Sequence, residues 1–504
     1  MAGSLPRRFQ RNVGSNYAMT VASIVVALVM TPVLVHGLGK LEYGIWALVG
    51  SLVWYLPLLE FGFGAATVKY IAEWHSRGER ERVRATVATS FWLLCVAGVV
   101  TFAVGVGLAA LFPVVFDLSG DLERASQLLI LLVTFDLACA MPMDTFGNVL
   151  TGFQRFDLLN ATLVVVLTAQ AAAWAIVLAA GGGLVALGLA TVALSLCGQA
   201  SRFLLAKRLS ADVTVARRFF DRTLIRPLAG LSAWFSLTTW SQVVIQRFDV
   251  VVVGLVVGVA EAAVYAVGQK LALLADQAIM PLTRTFFPFS SEAAVWRPTR
   301  ELGRSVYAGT RITLLIAAPI CISLAMLASP ALSAWVGAGF DEAVLVVVFL
   351  AAAAAIRALT QVSVQMLLGT GKARGPALFS GAEAVLNLVL SIVLGRAVGI
   401  EGVALATLIA TAIVHLGLIL PYACGTFSLP VRGFLGGLAR SHGPAVVAAF
   451  TLAAILRQAN LGSLFAVAAA GAAIALLYFL VFAFAGLDRG ERRRVLSDVV
   501  GGGE

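Results

Sequence analysis

The chain has 504 residues, 60% of them hydrophobic and only 12% charged, with a net charge of +10 and a mean hydropathy of +0.95. Soluble domains carry roughly 25% charged residues, so this chain cannot keep its surface wet and must present that surface to lipid. The cationic excess, which in a soluble protein would raise nucleic acid as a partner, is accounted for by basic loops on one side of a membrane, and no nucleic-acid partner is expected.

Arg7, Arg8 and Arg11 precede the first apolar run. That run is too long for a signal-peptide core and lacks a small-residue cleavage site, so it reads as an uncleaved first span. Helix-length apolar runs then predict an all-α polytopic protein of about fourteen spans, at roughly 16–37, 43–72, 86–111, 125–148, 158–180, 184–205, 228–257, 262–284, 305–327, 342–367, 376–396, 402–424, 441–457 and 463–486. None alternates as a barrel strand would. The runs 43–72 and 228–257 exceed what a bilayer needs, and Pro57 with the Gly62/Gly64 pair marks the expected weak point of the first. Cys95, Cys139, Cys197, Cys321 and Cys424 fall in or beside apolar runs without metal-ligand spacing, and no metal site is expected from them.

The loops test the span count. Counted from an inside N-terminus, inside loops hold Arg77, Arg80, Arg82 and Arg84, then Arg155, then Lys207 to Arg226, and later Lys372, Arg374, Arg432, Arg440 and the basic tail from Arg489. Outside loops hold only Lys40, Arg124, Arg396 and Arg457. One missed helix would invert every later loop, so the asymmetry predicts an even count with both termini inside. The basic, aromatic stretch 206–226, with Phe219 and Phe220 among its arginines, reads as an interfacial elbow.

An internal repeat runs at an offset of about 216–219 residues. Gly39-x-x-Glu42 matches Gly258-x-x-Glu261, Gly152-x-x-Arg155 matches Gly369-x-x-Lys372, Ile176-Val-Leu178 matches Ile392-Val-Leu394, and Gly188-Leu-Ala-Thr191 matches Ala404-Leu-Ala-Thr407. Six spans per copy predict two parallel lobes related by an axis along the membrane normal, 1–226 and 227–424, with 425–504 holding two extra helices and the basic tail. Two such lobes enclosing a cavity that opens to either side is the logic of a transporter.

Several segments carry a family likeness: Gly39-x-x-Glu42-Tyr43-Gly44-x-Trp46, Leu59-Glu60-Phe61-Gly62, Thr151-Gly152-Phe153-Gln154-Arg155, Arg247-Phe248-Asp249 and Leu368-Gly369-Thr370-Gly371. With the span count and loop pattern they make the chain resemble the polysaccharide-export flippases of the multidrug/oligosaccharidyl-lipid/polysaccharide exporter superfamily. The resemblance implies a non-enzymatic flippase in the bacterial plasma membrane. It would move a lipid-linked oligosaccharide on undecaprenyl pyrophosphate from the inner to the outer leaflet, with membrane lipid and polysaccharide polymerase or export proteins as partners. The same architecture is shared by multidrug antiporters and peptidoglycan-precursor flippases, and these remain alternatives. A membrane glycan polymerase would need a large outside loop, which the short outside loops disfavour; a non-transporting scaffold of a glycan assembly complex also stays open.

Charges at membrane depth mark candidate sites, because each costs about 2.5–3.5 kcal/mol at a span centre. Arg357 lies mid-span with Gln361 and Gln365 one and two turns on, a polar stripe that is either a cavity wall for an anionic head group or a packing cluster in which Arg357 meets an acid such as Asp136. Gln246, Arg247, Lys270 and Arg311 are the other head-group candidates. Asp249 and Lys270 sit at similar depth and are expected to clamp a helical hairpin or to gate it. Asp136, Asp276, Glu383, Asn387 and Glu60 are candidates for gating or ion coupling, and His415 is a weaker one. Gly369-Thr-Gly-Lys372 is not a phosphate loop, because Ala373 replaces the required Ser or Thr and the setting is a short turn between spans. With no nucleotide motif and no cofactor expected, work against a gradient would come from H+, Na+ or the membrane potential.

Overall fold

The computed structural model describes residues 5–60, 63–228, 248–296, 299–459 and 461–486. Among them there is helix and connecting turn but no strand. Contacts divide the chain into two compact units, Met1–Ala263 and Val264–Glu504.

In the first unit, α1 (Leu5–Val53) is bent at Gly39, whose φ of 73° an L side chain would resist. A 3-10 turn, Leu56–Glu60, follows at the expected interruption around Pro57, and α2 (Phe63–Ser76) continues the chain. Next come α3 (Arg80–Val115), α4 (Asp121–Gly152), α5 (Phe156–Ala179) and α6 (Leu184–Leu209). Helix α3 packs mainly on α4, α4 on α6, α5 on α6, and α1 on α5. A core of Ile71, Val87, Phe146, Leu150 and their neighbours joins α2, α3 and α4. Of the expected span 228–257, residues 229–247 lie outside the described residues, and 248–256 form a helix, α7.

The second unit takes most of α8 (Val259–Arg284), then α9 (Phe286–Trp296), α10 (Thr299–Met326), α11 (Ala328–Val336), α12 (Ala343–Gly369), α13 (Arg374–Val398) and α14 (Ile400–Thr426). Its remaining described helices are α15 (Val431–Arg457) and α16 (Leu464–Gly486). The packing order repeats that of the first unit: α10 on α12, α12 on α14, α13 on α14. Helices α15 and α16 pair around Ala445, Ala449, Ile474 and Tyr478, against Ile322 of α10.

The backbone has a recurrence at the offset of the expected repeat. Positive φ recurs at Gly39 and Gly258, Gly120 and Gly339, Gln154 and Gly371, and Gly181 and Gly399, each pair 217 to 219 residues apart. A chain reversal that demands the left-handed region restricts the residue more than the surrounding helix does.

Eleven of the described helices are long and apolar enough to cross a membrane. Most boundaries lie within a few residues of the expected spans, but the expected span 441–457 begins ten residues earlier, at Val431, and the expected span 262–284, which is α8, is not among the eleven. The stretch Ala18–Glu60 counts as one of them although Gly39 divides it, and the expected span 228–257 falls mostly outside the described residues. No part of the most apolar window of α5 is buried by protein, and Val114 is 79% exposed. Apolar surface of this kind is tolerable only in lipid, so the protein is a multi-pass membrane protein.

Candidate functional site

In the second unit the polar side chains of four helices converge. Arg357 of α12 grips Asp276 of α8, with Nη2 donating to Oδ2 at 2.6 Å and Nε to Oδ1 at 3.4 Å. The acid that meets Arg357 is therefore Asp276 and not Asp136. Gln361 and Gln365 follow on the same face of α12 and stay half-buried. Lys270, earlier on α8, is half-buried as well.

Glu383 of α13 is buried beside this pair. Its Oε1 accepts the Thr411 hydroxyl at 2.9 Å, and its Oε2 lies 3.3 Å from Nε2 of His415. The other ring nitrogen of His415 bonds the Thr360 hydroxyl of α12. One turn along α13, Asn387 accepts from Ser391 at 3.3 Å and from Thr407 of α14 at 3.2 Å. Between Ala412 and Ile419, α14 widens into a π-helix. That distortion falls on His415, and π-turns are uncommon segments that tend to occur where side chains are placed for function. His415, a minor candidate on sequence, thus links α12 to α13. Only the pairing of a central histidine with an acid on the neighbouring span could have raised its rank from sequence.

Arg311, expected with the head-group candidates, is instead directed at the C-terminal helices. Its Nη2 donates to the Gly486 carbonyl at 2.6 Å and its guanidinium lies 5.3 Å from the Phe482 ring centre. The residues Phe482–Gly486 of α16 are π-helical there. His442 of α15 bonds Tyr478 at 2.7 Å in the same packing layer.

The first unit holds a second set of acids. Asp136 accepts from Gln199 Nε2 at 3.3 Å, and Asp144, two turns further along α4, pairs with Arg202 at 2.9 Å. Gln199 and Arg202 stand one turn apart on α6, so one face of α6 serves both acids. Glu60 closes the 3-10 turn; its carboxylate comes close to Gly64, as does the Asn148 amide. Asp144 escapes the sequence reading, although its spacing from Asp136 places both on one helix face. Gln199 also lines an apolar recess of about 650 Å³ between α3, α4 and α6, with Phe102, Phe135 and Cys139. Asp249 is buried on α7. Gln246 and Arg247 lie outside the described residues.

A bundle of lipid-exposed helices with buried ionisable groups at span depth, and a packing order used twice, defines a polytopic helical membrane protein. Comparison with solved structures agrees. The chain is similar to a multidrug resistance MATE family transporter of the MOP superfamily in an inward-facing conformation, with TM-score 0.71 and 15% identity over 81% of this chain and 94% of that one. It is similar to the lipid II flippase MurJ in an inward closed conformation, with TM-score 0.65 and 13% identity over 94% and 98%. It is also similar to a MOP superfamily transporter from Pyrococcus furiosus, with TM-score 0.62 and 13% identity over 84% and 96%. These neighbours are transporters and a flippase, not enzymes. No curated protein matches the chain in sequence. The profile of the polysaccharide biosynthesis protein family matches residues 9–294, more than half of the sequence, and the chain belongs to that family.

Proposed function

We propose that the protein flips a lipid-linked oligosaccharide, on a carrier of the undecaprenyl pyrophosphate type, from the inner to the outer leaflet of the bacterial plasma membrane. It does so by alternating access, with both termini inside and with ions or the membrane potential supplying the work. The observation that carries the reading is the family match, because polysaccharide assembly at a membrane needs its lipid-borne intermediate moved across. The fold shared with a lipid II flippase supports the same class of cargo.

In this reading Arg357, Gln361 and Gln365 meet the anionic head group, with Gln246, Arg247 and Lys270 as further contacts. Asp276 shares Arg357 with the incoming phosphates, and Asp249 acts as a gate. Glu383, Asn387, Asp136 and Glu60 carry the coupling. Deleting the gene is expected to leave the lipid-linked glycan on the inner leaflet, measurable by leaflet-selective labelling of its sugar, and export is expected to return with the intact gene.

A second reading, a cation-coupled exporter of drugs or metabolites, is favoured by one observation: in the first unit Asp144 lies close enough to Glu60 and to Asp136 to act on both, and Arg202 pairs with Asp144. It requires unchanged lipid-linked glycan in the deletion strain, together with lost efflux of organic cations.

A further inference from the structure

The segment after α6 is bound to the flank of α3. Asp212 accepts from Arg84, Nη2 to Oδ1 at 2.8 Å, and lies 3.9 Å from Arg80. The Trp92 indole N–H donates to the Val215 carbonyl at 3.0 Å, and the Asp221 N–H donates to the Thr89 hydroxyl at 3.0 Å. From Arg84 to Trp92 helix α3 rises about 12 Å. The strap therefore covers the stretch from the charged start of α3 to the edge of its apolar run, which opens at Phe91 and Trp92. A boundary where charge gives way to aromatic and apolar residues suits the depth of the lipid headgroups, where aromatic side chains collect.

Cations and rings alternate along this strap. Arg217 lies 4.5 Å from the Trp92 ring centre, and Arg218 and Arg84 lie 4.9 and 5.7 Å from that of Phe219. Such contacts hold a guanidinium in place without neutralising it. Both carboxylates of the strap are engaged elsewhere: Asp212 with Arg84, and Asp221 with the Thr223 hydroxyl at 2.7 Å and its N–H at 2.8 Å. Arg217, Arg218, Arg222 and Arg226 are exposed.

We propose that this strap is a binding site for the headgroup of an anionic phospholipid. The phosphate sits against Arg217, Arg218 and Arg222, and the acyl chains lie along the apolar part of α3. Arginines at fixed positions suit a phosphate, which accepts two parallel N–H bonds. An acidic protein partner would be met by cations standing out in water, whereas these are held at the level where the apolar run begins.

The test uses the full-length protein in a neutral detergent, titrated with phosphatidylglycerol or phosphatidylcholine and read by native mass spectrometry. Wild type should retain phosphatidylglycerol in preference, and retention should fall with added salt. Each surface cation removed should weaken binding about fivefold, so R217Q/R218Q/R222Q should lose on the order of 100-fold. R217K/R218K/R222K, which keeps the charge, should lose far less. R432Q/R440Q, removing exposed cations of the second unit, should bind as wild type does. Equal retention of the two lipids, wild-type binding by the triple glutamine variant, or an equal loss in R432Q/R440Q would overturn the proposal. So would displacement of phosphatidylglycerol by an equimolar polyprenyl pyrophosphate, which would assign the strap to the cargo.

Discussion

The guanidinium of Arg357 reaches across from α12 to α8 and holds Asp276 through two bonds, the shorter of 2.6 Å. Each side chain keeps only about a fifth of its surface exposed. A pair so enclosed is costly to break from one side, because the remaining charge stays buried without its partner. Arg357→Ala is expected to lower stability by about 3–5 kcal/mol. The apolar replacement Arg357→Met with Asp276→Leu should fold nearly as well as wild type, measured by thermal unfolding in detergent. If Arg357 also meets the cargo, the double variant folds but does not export; full export by that variant would remove Arg357 from the head-group contacts.

His415 and Glu383 make a second separable pair, joined to α12 through Thr360. His415→Phe removes a partner from a buried carboxylate oxygen of Glu383, while the Thr360 hydroxyl keeps its bond to the Arg357 carbonyl at 3.2 Å, and is expected to cost about 1–3 kcal/mol. Glu383→Gln keeps the shape and the Thr411 bond, so its effect on melting should be the smaller. Differential scanning of the two variants checks the order. An Asp136→Asn variant tests the other acid set: export that no longer responds to the imposed ion gradient would place the coupling there.

Arg311 fastens α16 to α10. Arg311→Met removes a charged hydrogen bond to the Gly486 carbonyl, worth roughly 1.5–3 kcal/mol. Hydrogen exchange is expected to accelerate over 482–486 while remaining unchanged in α12. Loss of export with an undisturbed α16 would instead point to a direct role for Arg311.

Gly44 and Gly50 lie on the same helix in different surroundings. A methyl group at Gly44 would overlap the Val259 carbonyl oxygen, whereas Gly50 has nothing within 4 Å of that position. Gly44→Ala is expected to destabilise by about 1–3 kcal/mol, and Gly50→Ala to be neutral or to stabilise by up to about 1 kcal/mol. Parallel melting curves decide.

The Asp221 carboxylate, outside the membrane spans, is held below the ordinary carboxylate range by the Thr223 hydroxyl and N–H. A depressed folded value means that its contribution is present above the unfolded value of about 4 and is lost as pH falls through the folded one. The melting-temperature gap between wild type and Asp221→Asn should therefore be steady from pH 7 to 5 and close under stronger acid. Its exposure keeps the gap small.

Composition and the length of the apolar runs were enough to place this chain in a membrane as a helical bundle, because lipid admits so few ways of satisfying a backbone. The repeat could be read from turn glycines such as Gly39 and Gly258, since positive φ restricts a position whatever surrounds it. The depth of Arg357 and Glu383 followed from counting along a span. Which acid meets which base could not be counted: Arg357 to Asp276, Asp136 to Gln199 and Arg311 to the Gly486 carbonyl are contacts between helices far apart in sequence. Helical periodicity fixes the face of a side chain but not the neighbour that face will meet, and His415 comes between Thr360 and Glu383 only once those helices are packed.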